Sequence, residues 1–220
     1  MQKNLLRLAA ARVAVYCPHT AMDAAVGGIT DWLCDMITAD ISGSRVTRTA
    51  IQGVAGPTPR GHEGAGYGRV MDLPRKVDLH TLLRRLVAFT TGTDHVTVAL
   101  PQSVRDSDPS TPPMVGRIAA CPGSGSGVFQ LLPRREFTRE GGHELLVTGE
   151  MSHHDALRHT AMGRIIAQVF HSNSERHYLV DVLQKRLVRE LADTPYSSAR
   201  VLVSVADRDP FEILSVSPLS

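Results

Sequence analysis

A chain of 220 residues, 42% hydrophobic and 21% charged, is long enough for one large or two small domains with a substantial core. No run approaches the ~18–20 apolar residues that a membrane helix needs, and a formal charge of +2 without a long basic run gives no electrostatic footprint for direct nucleic-acid binding. Cys17, Cys34 and Cys121 are odd in number and lack CxxC spacing, which excludes a disulfide frame or a thiolate zinc site and fits reduced thiols inside a cell.

In chain order, the start "MQKNLLRLAAARVAVYC" has basic residues and no acid before Asp23, a superficial likeness to a mitochondrial presequence. Its pattern reads as a core helix, "QKNLLRLAAA", feeding a strand, "RVAVYC" (12–17). Further strands are expected at 44–51, 66–73, 95–100, 115–121, 144–149, 164–170 and 199–205, each a short β-branched run with turn signals beside it. Helices are expected at 28–37, 78–90, 153–162 and 174–192. The last places Tyr178, Val182, Leu183, Leu187 and Leu191 on one stripe. Strands alternating with helices predict an α/β fold with a mixed, largely parallel sheet. Two segments, 53–66 and 102–113, are rich in Gly, Pro, Ser and charge and read as loops, the first of them a domain boundary.

Four strands run directly into polar clusters: "RVAVYC" into "PHTAMD", "RIAAC" into "PGSGSG", "ELLVTG" into "EMSHH", and "RIIAQVF" into "HSNSE". Ligands bind at the carboxyl ends of strands in open α/β sheets, where loops and helix starts converge. His171 and Glu175 stand four apart at one junction, His19 and Asp23 at another. An imidazole–carboxylate set without cysteine suits zinc, manganese, iron or another first-row ion. Each pair also has a plain reading. Ser172 or Asn173 would cap a helix with Glu175 as the acid of a capping box, and Asp23 would cap the helix after it. Ser152 is a natural cap for the helix opened by His153 and His154, with Glu150 the better-placed carboxylate there. Gly123, Ser124 and Gly125 could form an anion-binding nest of backbone N–H groups, or simply a tight turn.

Together "VYCPHTAMDAAVGGITDWL", "GYGR", "CPGSGSGVF", "LLVTGEMSHHDAL" and "HSNSERHYL" closely resemble the eukaryotic branch of the Nif-three family, the GTP cyclohydrolase 1 type 2-like proteins. The resemblance implies two α/β domains, here an incomplete first one over 1–58 and a second over 59–220, with the C-terminal strand and tail packing back on the first. It implies a dinuclear divalent-metal site with Asp23, His171 and Glu175 as ligands, Glu175 bridging, and His19 and Glu150 beside it. It also implies a homo-hexamer and a cytoplasmic or mitochondrial location. The activity it implies is either metal-dependent hydrolysis of a nucleotide or phosphoester, or a non-catalytic adaptor role with transcriptional regulators. Members carry a histidine-bearing segment ahead of the "VYCPHT" strand that supplies further ligands. Without those ligands, this chain is expected to bind metal weakly and to be inactive.

Overall fold

The computed structural model describes residues 2–39, 41, 46–90, 95–134 and 141–211. Its centre is a six-stranded sheet in the order β1-β2-β4-β5-β6-β3. The strands are β1 (Thr49–Gly53), β2 (Gly66–Asp78), β3 (Thr97–Ala99), β4 (Met114–Ser124), β5 (His143–Glu150) and β6 (Ile165–Gln168). The middle, β4–β5–β6, is parallel. The flanking pairs β1–β2, β2–β4 and β3–β6 are antiparallel. The mixed α/β class read from the sequence is the class observed.

The parallel centre is buried on both faces, as its unbroken apolar runs require. Ile118 and Ala120, Leu145 and Val147, and Ile165 and Ala167 point to one side, against Trp32, Leu33, Ile37, Leu82, Leu86 and Tyr178. Ala119 and Cys121, Leu146 and Ile166 point to the other, against Phe129 and Leu132. The first side is covered by α3 (Ile29–Thr38) and α4 (Leu79–Thr90), the second by α6 (Ser126–Phe129) and α7 (His153–Ala161). Asp78 starts α4, its carboxylate accepting from the amides of His80 and Thr81 at 3.1 and 2.9 Å. Ser152 starts α7, its hydroxyl accepting from Asp155 N at 3.2 Å. β1 and α3 lie ahead of residue 58, yet β1 pairs with β2 and α3 packs on β4.

Several elements differ from expectation. The helix α1 (Gln2–Ala10) forms, but every residue of it is exposed, so it is not a core helix. Residues 12–17 and 199–205 are irregular, and among the described residues they pair with no strand. Val13, Val15, Tyr16, Leu202 and Val205 are accordingly exposed. A β-branched run encodes a surface that fits a pleated, half-buried sheet, and it becomes a strand only where a partner is presented. The strand expected at 44–51 forms at 49–53, with 42–45 outside the described residues. The helix expected at 174–192 is segmented into a 3₁₀ turn (Ser172–Ser174), α8 (Arg176–Tyr178), a π turn (Leu179–Leu183) and α9 (Gln184–Ala192). The loop at 102–113 opens with a short helix, α5 (Gln102–Arg105). No helix among the described residues is long and apolar enough to cross a membrane.

Candidate metal centre

Strands β4, β5 and β6 end on the same edge, and their ends are in contact. A methyl group placed on Gly149 would lie 2.6 Å from Gly123 O, 2.8 Å from His171 Cα and 2.8 Å from Phe170 O. No side chain fits there, so the three strand ends close against backbone alone. Thr148, fully buried, binds this corner together: its hydroxyl donates to Gly123 O at 3.2 Å and accepts from Gly125 N at 3.0 Å.

On this floor the imidazole of His171 lies between two carboxylates. Nδ1 is 3.4 Å from Glu150 Oε1, and Nε2 is 3.6 Å from Glu175 Oε1. Gly123 (φ +61°) forms the wall behind the second pair: a Cβ there would stand 2.6 Å from Glu175 Oε1 and 3.0 Å from His171 Nε2. Glu175 makes no side-chain cap for the helix it precedes, and it faces His171 instead. The capping-box reading is therefore not the one realised. Ser174 replaces it, its buried hydroxyl donating to His171 O at 2.6 Å and accepting from Gly123 N at 2.8 Å.

Asp23 enters from α2 (Thr20–Ala24). It does not cap α3; there, Asp31 accepts from Gly27 N at 2.6 Å. Asp23 Oδ1 is buried and, among the described residues, has no hydrogen-bond partner. Burial pushes the Asp23 carboxyl above the usual carboxylate range, with His19 and His171 close enough to pull it partly back. Burial also raises the Glu175 carboxyl, and His171 opposes the shift while Asp23 reinforces it. The Cys121 thiol is pushed up to about 12, first by burial, then by Asp23 and Glu175. These mutual influences place Asp23, His171, Glu175, His19 and Cys121 in one electrostatic neighbourhood.

The amides of Gly123 and Gly125 donate to the hydroxyls of Ser174 and Thr148, and Ser124 is in register with Glu150. The glycines of this turn serve close packing. Sequence reading missed Arg69 of "GYGR". Its side chain is 3% exposed and donates to Asp31 Oδ1 (2.9 Å), Gly66 O, Gly68 O, and the carbonyls of Ala24 and Ala25 at 3.3 and 3.5 Å. With Thr30 Oγ1 donating to Asp23 O at 2.8 Å, it anchors the end of α2 and hence Asp23. The visible signal was an arginine amid glycines on an apolar strand, a charge that burial demands be paired.

The donor chemistry suits a divalent ion: two carboxylates and an imidazole, one carboxylate oxygen orphaned, one glycine leaving the space a side chain would fill. Among the described residues, however, no group of three or more His, Cys, Asp or Glu is gathered closely enough to hold an ion by itself.

A parallel centre flanked by antiparallel strands and covered by helices on both faces defines an open-sheet α/β protein. More narrowly, the chain belongs to the Duf34/NIF3 (NGG1p interacting factor 3) family, whose model matches residues 1–210. It is 35% identical over 212 residues to the Protein NIF3 homolog of Schizosaccharomyces pombe, covering 95% of this chain and 67% of that one. It is 34% identical over 202 residues to NGG1-interacting factor 3 of Saccharomyces cerevisiae, covering 91% of this chain and 62% of that one. The chain thus spans about two thirds of these relatives. The fold is shared with a Bacillus cereus protein related to NIF3, at a TM-score of 0.65 and 14% identity over 96% of this chain and 77% of that one.

Proposed function

We propose that this chain binds a divalent metal ion, zinc, manganese or iron, through Asp23, His171 and Glu175. The observation that carries this reading is the buried, unpartnered oxygen of Asp23, within electrostatic reach of a His171–Glu175 pair walled by Gly123. An uncompensated buried carboxylate costs free energy in the empty protein, and a cation removes that cost. Asp23 and Glu175 repel each other, as do all carboxylates that share one ion. A bound divalent ion would supply Lewis acidity toward a water or a phosphoryl oxygen, the basis for hydrolysis of a nucleotide or phosphoester. The protein's part is to hold the donors at the strand ends and exclude side chains from the floor. Because the donors are not drawn into a closed set, binding by this chain is weak.

The test is calorimetric titration of the chelator-stripped chain with Mn²⁺, Zn²⁺ and Fe²⁺. Measurable uptake by the parent, lost in both Glu175→Gln and His171→Gln, supports the assignment. Uptake that both substitutions leave intact removes it. The second reading, an adaptor that meets transcriptional regulators, is favoured by the family description itself, which records an interaction with NGG1p. Binding to such a regulator that survives Glu175→Gln would separate it from the metal function.

A further inference from the structure

β3 ends the sheet beyond β6, and its outer edge makes no backbone hydrogen bond among the described residues. Beside this edge a cavity lies on each face. Side chains alternate along a strand, so Val98 packs toward α4 and Ala99 toward α7. On the α7 side, the short side chains of Ala99, Ala156 and Ala161 leave a cavity of about 650 Å³, lined also by Leu157, which is 55% exposed. On the α4 side, a cavity of about 530 Å³ is lined by Leu79, Leu83, Val98 and Val104. Either volume is ample for an apolar side chain.

Arg105, at the end of α5, lines both cavities. Its Nε donates to Leu100 O at 3.2 Å, which fixes the stem of the side chain, and among the described residues no carboxylate pairs with its guanidinium. No acid lines the first cavity. Asp108, the one acid lining the second, accepts from Ser110 N and Oγ at 2.9 and 2.8 Å. Asp106, next to Arg105, accepts from Gln102 Nε2 at 2.7 Å.

We propose that the β3 edge docks an extended, acidic segment of a protein partner. An added strand pairs its backbone with the open edge, and its successive side chains point to opposite faces. Two consecutive apolar residues would therefore enter the two cavities, and a carboxylate beside them would meet Arg105. The unpaired guanidinium selects an acid there over a base. This inference deepens the adaptor reading and rests on it for the existence of a protein partner; it does not involve the metal centre.

The probe is a fluorescent peptide with the core Glu-Leu-Val-Glu, compared with cores Lys-Leu-Val-Lys and Glu-Ser-Ser-Glu by anisotropy. The acidic apolar peptide should bind, and each control should bind about tenfold or more weakly. Arg105→Gln and Leu157→Asp should each lower its affinity about tenfold, with thermal unfolding unchanged because both side chains are exposed. Amide shifts and slowed hydrogen exchange should fall on Thr97–Ala99. Equal binding of the lysine peptide, indifference to both substitutions, or no binding of any peptide overturns the proposal. So does self-association of the chain that Leu157→Asp abolishes in sedimentation, since the edge would then serve a second copy. NGG1p captured equally by the parent and both variants keeps the adaptor reading and overturns this surface. A parent that binds the peptide at β3 but does not capture NGG1p supports the surface and refutes the adaptor reading.

Discussion

Gly123→Ala tests whether the corner where β4, β5 and β6 end is as tight as its geometry states. The added Cβ would meet Glu175 Oε1 at 2.6 Å and His171 Nε2 at 3.0 Å, and the backbone there has φ +61°. The two penalties differ in kind. A non-glycine residue in the left-handed region costs about 1–2 kcal/mol, and nothing nearby can relieve it. The steric clash falls on the end of a flexible glutamate, which gives way first and leaves its place beside His171. The backbone term therefore sets the stability loss, while the clash is converted into a displaced carboxylate. At roughly 2–4 °C per kcal/mol for a domain of this size, Tm falls by about 2–8 °C. Affinity for Zn²⁺ or Mn²⁺ falls about tenfold or more as the ligand leaves. Gly127→Ala is the control, since a methyl group there meets nothing within 4 Å. Thermal unfolding by circular dichroism and calorimetric metal titration on both variants decide the matter. If Gly123→Ala matches Gly127→Ala in both, the reasoning from close approach is wrong.

Two further outcomes are expected. Asp23→Asn removes a charge whose carboxyl is pushed up by burial. The folded value lies above the unfolded one, so ionisation costs stability above that range, and at pH 7 the metal-free variant should be more stable by on the order of 1 kcal/mol while binding metal worse; urea denaturation with and without Zn²⁺ measures both. His159 is buried and lowered to about 4, first by burial and then by Arg164, whose Nη1 lies 3.0 Å from its Nδ1. A depressed histidine contributes stability that is complete above its ordinary 6.5 and lost as pH falls toward 4. The parent should lose on the order of 2 kcal/mol across that window, and His159→Gln should show a flatter profile when unfolding is followed from pH 7 to pH 4.

What the sequence disclosed, and what it withheld, divides along physical lines. The parallel centre was legible because β4, β5 and β6 bury both faces, and their apolar runs carry that signal without reference to partners. The strand ends were legible for the same reason: each run stops where the polar cluster begins. Residues 12–17 and 199–205 carry an equally strong β pattern and form no strand among the described residues, since pairing is a property of two segments and not of one. The break at Leu179–Leu183 was hidden because a π turn changes hydrogen-bond register without changing the hydrophobic stripe: Tyr178 remains buried and Val182 and Leu183 still pack on the core. At the site, spacing marked the pairs His19–Asp23 and His171–Glu175, and the family resemblance singled out Asp23, His171 and Glu175; whether Glu175 capped a helix or faced His171 depended on the 3₁₀ turn at Ser172–Ser174. Arg69 was visible as a letter and invisible as a role, because its five acceptors come from three stretches of chain, two of them about forty residues away.

The carboxyl edge of the sheet is also where local preference is most often violated. Among the described residues only Arg12, His19 and Phe170 hold positive φ without being glycine, and two of those three, His19 at 44° and Phe170 at 69°, flank the proposed ligands. Gly123 supplies a third left-handed turn in the same corner, and Asp23 an unsatisfied buried oxygen. His19, Phe170 and the orphaned oxygen each cost roughly 1–3 kcal/mol, whereas Gly123 adopts its φ without steric penalty, and none of the four improves the packing of the core. A structure optimised for folding alone would place Gly or Asn at 19 and 170 and an apolar residue at 23. Strain persists only where surrounding structure over-determines it, and here it is held by Gly149 against His171, by Thr148 on Gly123 and by Arg69 on α2. Phe170 is held from outside as well, stacked on Phe211 at 5.9 Å. Those same contacts set where Asp23, His171 and Glu175 can stand. Strain that is maintained by the surrounding framework and does nothing for the core is the physical reason to seek this protein's function at this edge of the sheet.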